Sequence, residues 1–360
     1  MTIASMNFGG AVKLGNVAVG RDNNFNLIRA LAATAVLVSH AWPIAIGSSA
    51  QEPMVSITGY SLGSLAVFLF FSVSGYFISS SFDRTNSAWQ FIVSRSYRLF
   101  PGLIISMFIV AFLLGPAVTT LPVQDYLSHR DVYFFVFRNI ALFDVQYTLP
   151  GVFGTNPYPT VEGSIWTLLY EVLCYCLVLL LGVLGIIKRH RLMLIFFILF
   201  FAFWITTSFF VPNLDTKFQN LHKLSFPFVV GMVMYTFRFA IKISLVFALL
   251  LVTLAYVSVG TSIGFPALVI AIAYGTFFLA YVPRSRTLLK FNGIGDYSYG
   301  IYIYAFPVQG LVVYWFGDGS PMLNIAWSLP ITILISAASW YIVEAPAIRK
   351  ANSYSKRKTQ

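Results

Sequence analysis

This sequence predicts an all-α polytopic membrane protein of about ten transmembrane helices with both termini in the cytoplasm. Three observations lead there. The 360 residues are 58% apolar, 17% aromatic and only 10% charged, with a mean hydropathy of +0.79, a combination that no water-soluble domain of this size approaches. Mostly apolar runs of about 18 residues or more, the length a helix needs to cross a bilayer, recur along the whole chain. The cations gather in alternate loops.

Residues 1 to 24 contain Gly9, Gly10, Gly15 and Gly20 and no continuous apolar core, so they read as a cytoplasmic lead-in and not as a cleavable signal peptide. The membrane domain then runs over residues 25 to 345, and residues 346 to 360 form a basic cytoplasmic tail. Its spans are expected over Phe25 to Gly47, Gly59 to Ser80, Phe100 to Leu121, Ile165 to Ile187 and Leu192 to Val211. Five more follow over Leu221 to Phe237, Ile243 to Val259, Phe265 to Val282, Tyr297 to Phe316 and Met322 to Val343. Tyr133 to Phe153 is also partly apolar, but Arg138, Asp144 and Pro150 interrupt it, so it reads as interfacial or re-entrant.

The loops give these helices a direction. One side holds Lys13 and Arg21; Arg84, Arg95 and Arg98; Lys188, Arg189 and Arg191; Arg238 and Lys242; Arg284, Arg286 and Lys290; and Arg349, Lys350, Lys356, Arg357 and Lys358. The other holds only Arg130, Arg138, Lys217 and Lys223. Lys and Arg favour cytoplasmic loops, so the first side is inside. The net charge of +11 is thereby explained without nucleic acid. One outer loop, residues 122 to 163, is long and carries Asp125, Asp131, Asp144 and Glu162 among aromatic residues and prolines. Acidic and aromatic side chains suit a carbohydrate, and they suit a structural cap equally well.

Against this apolar background a few polar residues stand out. Arg29 and His40 lie inside the first span, where a central Arg costs roughly 2.5–3.5 kcal/mol on insertion scales, so each is a functional candidate. Eleven residues at about 100° per residue return His40 to within about 20° of Arg29, roughly 16 Å along the axis. The two share one face at two depths. Glu171, five residues into the fourth span from its outer end at Trp166, falls near the depth of His40. An acid and an imidazole at one level can pair, the carboxylate orienting or charging the ring, and a Glu bonded to neighbouring hydroxyls is the other reading. Arg95 and Arg98, three apart on one face, make a fork suited to the phosphates of a cytoplasmic ligand, or simply anchor a positive-inside loop. Ser72, Ser74 and Gly75 are small residues that permit close helix approach. Cys174 and Cys176 point to different faces of a helix and imply neither a disulfide nor a metal site. There is no P-loop, dinucleotide fingerprint, metal-ligand cluster or nucleophile elbow.

Six segments in this order, RALAATAVLVSH, FFSVSGYFI, SRSYRLFPG, GSIWTLLYE, GDYSYGIYIYAFPVQ and YIVEAP, resemble the acyltransferase 3 family of integral membrane O-acyltransferases. The resemblance runs from about Phe25 to Arg349. It implies a bacterial inner-membrane enzyme that transfers an acyl group, commonly acetyl from acetyl-CoA, to a cell-surface or lipid-linked carbohydrate, without a metal. It also implies that His40 is catalytic, that Arg29 is its essential basic partner, and that Glu171 and the pair Arg95 and Arg98 are functionally important. On this reading acetyl-CoA presents its phosphates to Arg95 and Arg98, His40 serves as base or as acyl carrier, and Trp166 and Asp144 contact the acceptor. Ala305 stands where many relatives carry a second histidine. The competing class is a secondary transporter or flippase using the same buried residues as a substrate or proton path.

Overall fold

The computed structural model describes residues 11–20, 22–211, 215–283, 285–317 and 319–357. The sequence positions Arg21, Arg284 and Lys358 and residues 1 to 10 of the lead-in therefore lie outside the described residues. Each of the ten predicted spans coincides with a helix. In chain order these and two helices of the long connection 122–163 are α1 (Phe25–Ile46), α2 (Leu62–Thr85), α3 (Ala88–Val118), α4 (Val123–Ser128), α5 (Arg130–Ala141), α6 (Trp166–Val183), α7 (His190–Phe210), α8 (Thr216–Thr236), α9 (Leu245–Val257), α10 (Gly264–Tyr281), α11 (Ser298–Phe316) and α12 (Pro321–Tyr354). Among the described residues seven of them, α1, α2, α3, α6, α7, α10 and α12, are long and apolar enough to cross a membrane. The other three fall short for visible reasons. Helix α8 opens on Lys217, Gln219, Asn220, His222 and Lys223, α9 has only 13 residues, and α11 carries Gln309 and four tyrosines. The molecule is thus a multi-pass helical membrane protein.

The chain gathers into two units. The first comprises the chain up to Arg29, Leu65–Ala88 and Tyr170–Ile294, and the second comprises Ala30–Ser64, Trp89–Leu169 and Gly295–Gln360.

In the first unit, small residues bring α2 and α8 backbone to backbone. A Cβ on Gly231 would collide with the Ser72 carbonyl oxygen, and one on Gly75 with the Phe228 carbonyl oxygen. This is the close packing that the sequence predicts for Ser72 and Gly75, and it suits a membrane interior, where helices associate through packing in place of a hydrophobic drive. Around it Phe25 packs edge-to-face on Phe77, Phe277 and Tyr281. The two-residue strands Val12–Lys13 and Lys242–Ile243 pair antiparallel beside them. Cys174 is buried and Cys176 exposed, both free, on the two faces their spacing requires.

In the second unit the long connection over residues 122–163 is bonded to the helices around it. Helix α3 relaxes into a π-helical turn at Val110–Leu114, whose Ala111 carbonyl accepts the Tyr126 hydroxyl at 2.8 Å. Gly115 leaves just enough room for that same ring. Asn139 and Gln146 bind each other through two side chain–backbone bonds of 2.9 and 2.8 Å. Asn156 donates to the Gly310 carbonyl at 2.9 Å, fastening the loop to α11. Residues 130–141 are helical and end in a left-handed turn at Leu142, so the interrupted segment is an amphipathic surface helix with its Val132, Phe135 and Val136 face buried.

Candidate active site

His40 sits two turns from the end of α1, just before Pro43. Proline has no N–H, so the Ser39 carbonyl loses its intrahelical donor and the helix is weakened beside the imidazole. Across from it in the same unit lies Phe306 of α11, whose ring stands edge-to-face on His40 with centroids 5.2 Å apart. The Nδ1 atom of His40 is buried and has no hydrogen-bond partner among the described residues. Native interiors rarely leave such an atom unmet, and the exceptions are frequently functional.

Gln309, one turn beyond Phe306, donates from Nε2 to the Leu37 carbonyl of α1 and to Asn324 Oδ1 of α12, both at 2.9 Å. Asn324 returns a bond of 3.0 Å to the Gln309 carbonyl. Three helices are therefore tied together one turn from His40. Thr167 of α6 adds a 2.6 Å bond to the Tyr302 hydroxyl of α11.

The loop leading into α6 ends at the same ring. Gly163 packs flat against Phe306, leaving no room for a Cβ, and Tyr158 stands 6.2 Å from it. Beside Gly163, Glu162 is wholly buried. Its Oε1 accepts from the Ser164 amide at 3.0 Å and hydroxyl at 2.6 Å, while Oε2 has no partner. Burial pushes this carboxyl up from 4.5 to about 8, against the opposing bonds from Ser164 and Ile165. The folded state therefore holds the proton more tightly than the unfolded state does. That stability contribution is complete below about pH 4.5 and is lost as pH rises through 8. Thermal melts should show the wild type losing stability across this window and Glu162→Gln staying level. Parallel curves for the two would remove Glu162 from the pH dependence.

The other sequence candidates are dispersed. Arg29 is half-buried in the second turn of α1. Glu171 belongs to the first unit, where its Oε1 accepts the hydroxyl of Tyr175 one turn on, the neighbouring-hydroxyl arrangement that the sequence left open. Trp166 is half-buried as the first residue of α6. Asp144 is exposed and makes a 3.6 Å surface ion pair with Arg138. Such a pair is worth little, and nothing links it to His40. Arg95 bonds Ser94 Oγ at 3.4 Å.

Arg98 has a partner that the sequence reading did not weigh. Its guanidinium makes a 2.6 Å ion pair with Asp296 of GDYSYG, the two side chains 19% and 11% exposed. It also lies 5.9 Å over the Trp340 ring. Asp296 is held in turn by the Ser298 hydroxyl at 2.5 Å. One face of the planar guanidinium is thus fixed, and with five N–H donors in the group Asp296 need not consume them all.

A family model described as an acyltransferase domain matches residues 22–343. Two curated relatives span nearly the whole chain. An O-acetyl transferase of Shigella phage Sf6 is 31% identical over 335 residues, covering 90% of this chain and 95% of its own. Nodulation protein 10 of Rhizobium leguminosarum bv. viciae is 26% identical over 374 residues, covering 94% and 96%. No solved structure shows a significant match. By this match over most of its length the chain belongs to this acyltransferase family and is a membrane O-acyltransferase.

Proposed function

We propose that the protein transfers acetyl from acetyl-CoA to a hydroxyl of a cell-surface or lipid-linked carbohydrate, in the bacterial inner membrane, with His40 as general base. The observation that carries this reading is the buried, unpaired Nδ1 of His40. With the ring neutral and Nε2 protonated, Nδ1 accepts the proton of the attacking hydroxyl. The hydroxyl oxygen bonds to the thioester carbon, the C–S bond breaks, and the proton passes from His40 to the departing thiolate. The acetyl group is carried over from the name of the phage relative.

Arg95 and Arg98 are proposed to hold the phosphates of the donor, with Asp296 fixing the orientation of Arg98. Arg29, on the same helix as His40, is the proposed basic partner. Glu171 is proposed as a functional carboxylate in its own unit, and Trp166 and Asp144 as acceptor contacts. The loop charges support ten crossings with both termini in the cytoplasm.

Purified protein in detergent, given radiolabelled acetyl-CoA and a glycan acceptor, should form an alkali-labile ester. Absence of label, or label that survives alkali, would count against ester transfer. Arg98→Ala should raise the KM for acetyl-CoA by about 10-fold to 100-fold, the range for losing a hydrogen bond to a charged group, while the acceptor KM stays nearly constant. Unchanged donor KM would leave Arg98 as a structural clamp with Asp296.

A further inference from the structure

Several buried side-chain atoms of the second unit lack a hydrogen-bond partner among the described residues, Glu162 Oε2 and Ser328 Oγ included, and two of them lie beside the tie between α1 and α11. The first is His40 Nδ1 and the second is Gln309 Oε1. Gln309 is wholly buried, and its amide has one orientation. Both groups at its Nε2 end, the Leu37 carbonyl and Asn324 Oδ1, are acceptors. Asn324 is itself oriented by donating from Nδ2 to the Gln309 carbonyl. The free oxygen of Gln309 therefore points away from both.

Its height follows from helix geometry. A carbonyl at residue 37 points along the axis toward the amide of residue 41, so an amide bonded to it lies beside His40. Phe306, one turn before Gln309 on the same face, rests on the imidazole. The surroundings are apolar, with Ile44, Ala45, Phe306 and Val313 forming one buried cluster. In such a setting unmet acceptors are costly unless something donates to them.

We propose that these atoms form the acceptor subsite for a vicinal diol. One hydroxyl donates to His40 Nδ1 and is the one acylated. Its neighbour donates to Gln309 Oε1 and fixes which oxygen reaches the base. A mono-alcohol meets only one of the two acceptors. Neighbouring hydroxyl pairs are the common feature of sugar rings, so the subsite selects a carbohydrate through a pair of donors. The inference rests on the acyltransferase reading of His40.

The test uses cis-1,2-cyclohexanediol and cyclohexanol as probes on full-length protein labelled with 15N-histidine. The His40 resonance is assigned by its loss in His40→Ala. The diol should shift Nδ1 at concentrations at least about 10-fold below those cyclohexanol requires, as expected when a buried acceptor is left unpaired. In Gln309→Leu, or the slimmer Gln309→Met if the first misfolds, the two alcohols should become equivalent within about threefold. Equal response to both alcohols in wild type overturns the subsite and leaves water as the bridge. A diol preference that survives loss of Gln309 overturns it as well. Acetyl transfer to the same alcohols separates the two claims. Transfer to both at equal kcat/KM sinks the diol subsite and keeps the acyltransferase reading. Diol-selective shifts without any transfer keep the subsite and sink that reading.

Discussion

His40→Ala is expected to lower kcat/KM by about 10²–10⁴-fold, the usual contribution of a positioned general base, while expression and the size-exclusion profile stay as in wild type. The separation is expected because Nδ1 makes no hydrogen bond that the fold would miss. What the substitution removes is a ring edge against Phe306, a packing loss that neighbouring side chains can partly absorb. Radiolabelled acetyl transfer at saturating donor measures the effect. Exogenous imidazole should restore part of the rate in the alanine variant, since it supplies the missing base without the missing chain. Activity within threefold of wild type would remove His40 from the chemistry.

Gly231→Leu is expected to abolish the folded, monodisperse protein. Its Cβ would enter the space of the Ser72 carbonyl, with the Tyr76 amide a further 2.9 Å neighbour. Both are backbone atoms that cannot rotate away. Overpacking of this kind exceeds the typical 1–3 kcal/mol because the two helices must separate. Gly275→Ala on α10 is the matched control. Nothing lies within 4 Å of a Cβ there, and alanine gains up to about 1 kcal/mol of helix propensity. Thermal stability by fluorescence-detected size exclusion should fall sharply for Gly231→Ala and hold for Gly275→Ala. Equal melting points would show that the α2–α8 contact does not set stability.

Several features of the fold and site were legible because they are local or periodic. A run of apolar residues predicts a helix whatever surrounds it, so each expected span meets a helix, although α3 already starts at Ala88 and takes in Arg95 and Arg98, and α12 runs on to Tyr354. The spacing of Arg29 and His40 puts both on α1, and the small residues of α2 announce a close helix approach without naming its partner. Crossing number is less local. Polar residues at the start of α8, the brevity of α9 and the tyrosines of α11 leave three helices below the length and apolarity that seven others reach.

The partners of the site residues could not be read from the chain. Arg98 and Asp296 are separated by 198 positions and Gln309 and Leu37 by 272, and one sequence carries no signal for which distant residues meet. Asp296 and Gln309 lie within the segment GDYSYGIYIYAFPVQ with no local feature that singles them out. Glu162 read as one of four loop acids, and only burial distinguishes it from exposed Asp144, because the cost of a carboxylate depends on the water around it and not on its neighbours in sequence. By itself the sequence determined the membrane class, the helices and the pair of ionisable residues on α1. Tertiary structure alone decided that Asp296 holds Arg98 and that Gln309 ties α11 to α1 one turn from His40, since side-chain hydrogen bonding is settled by which helices pack together.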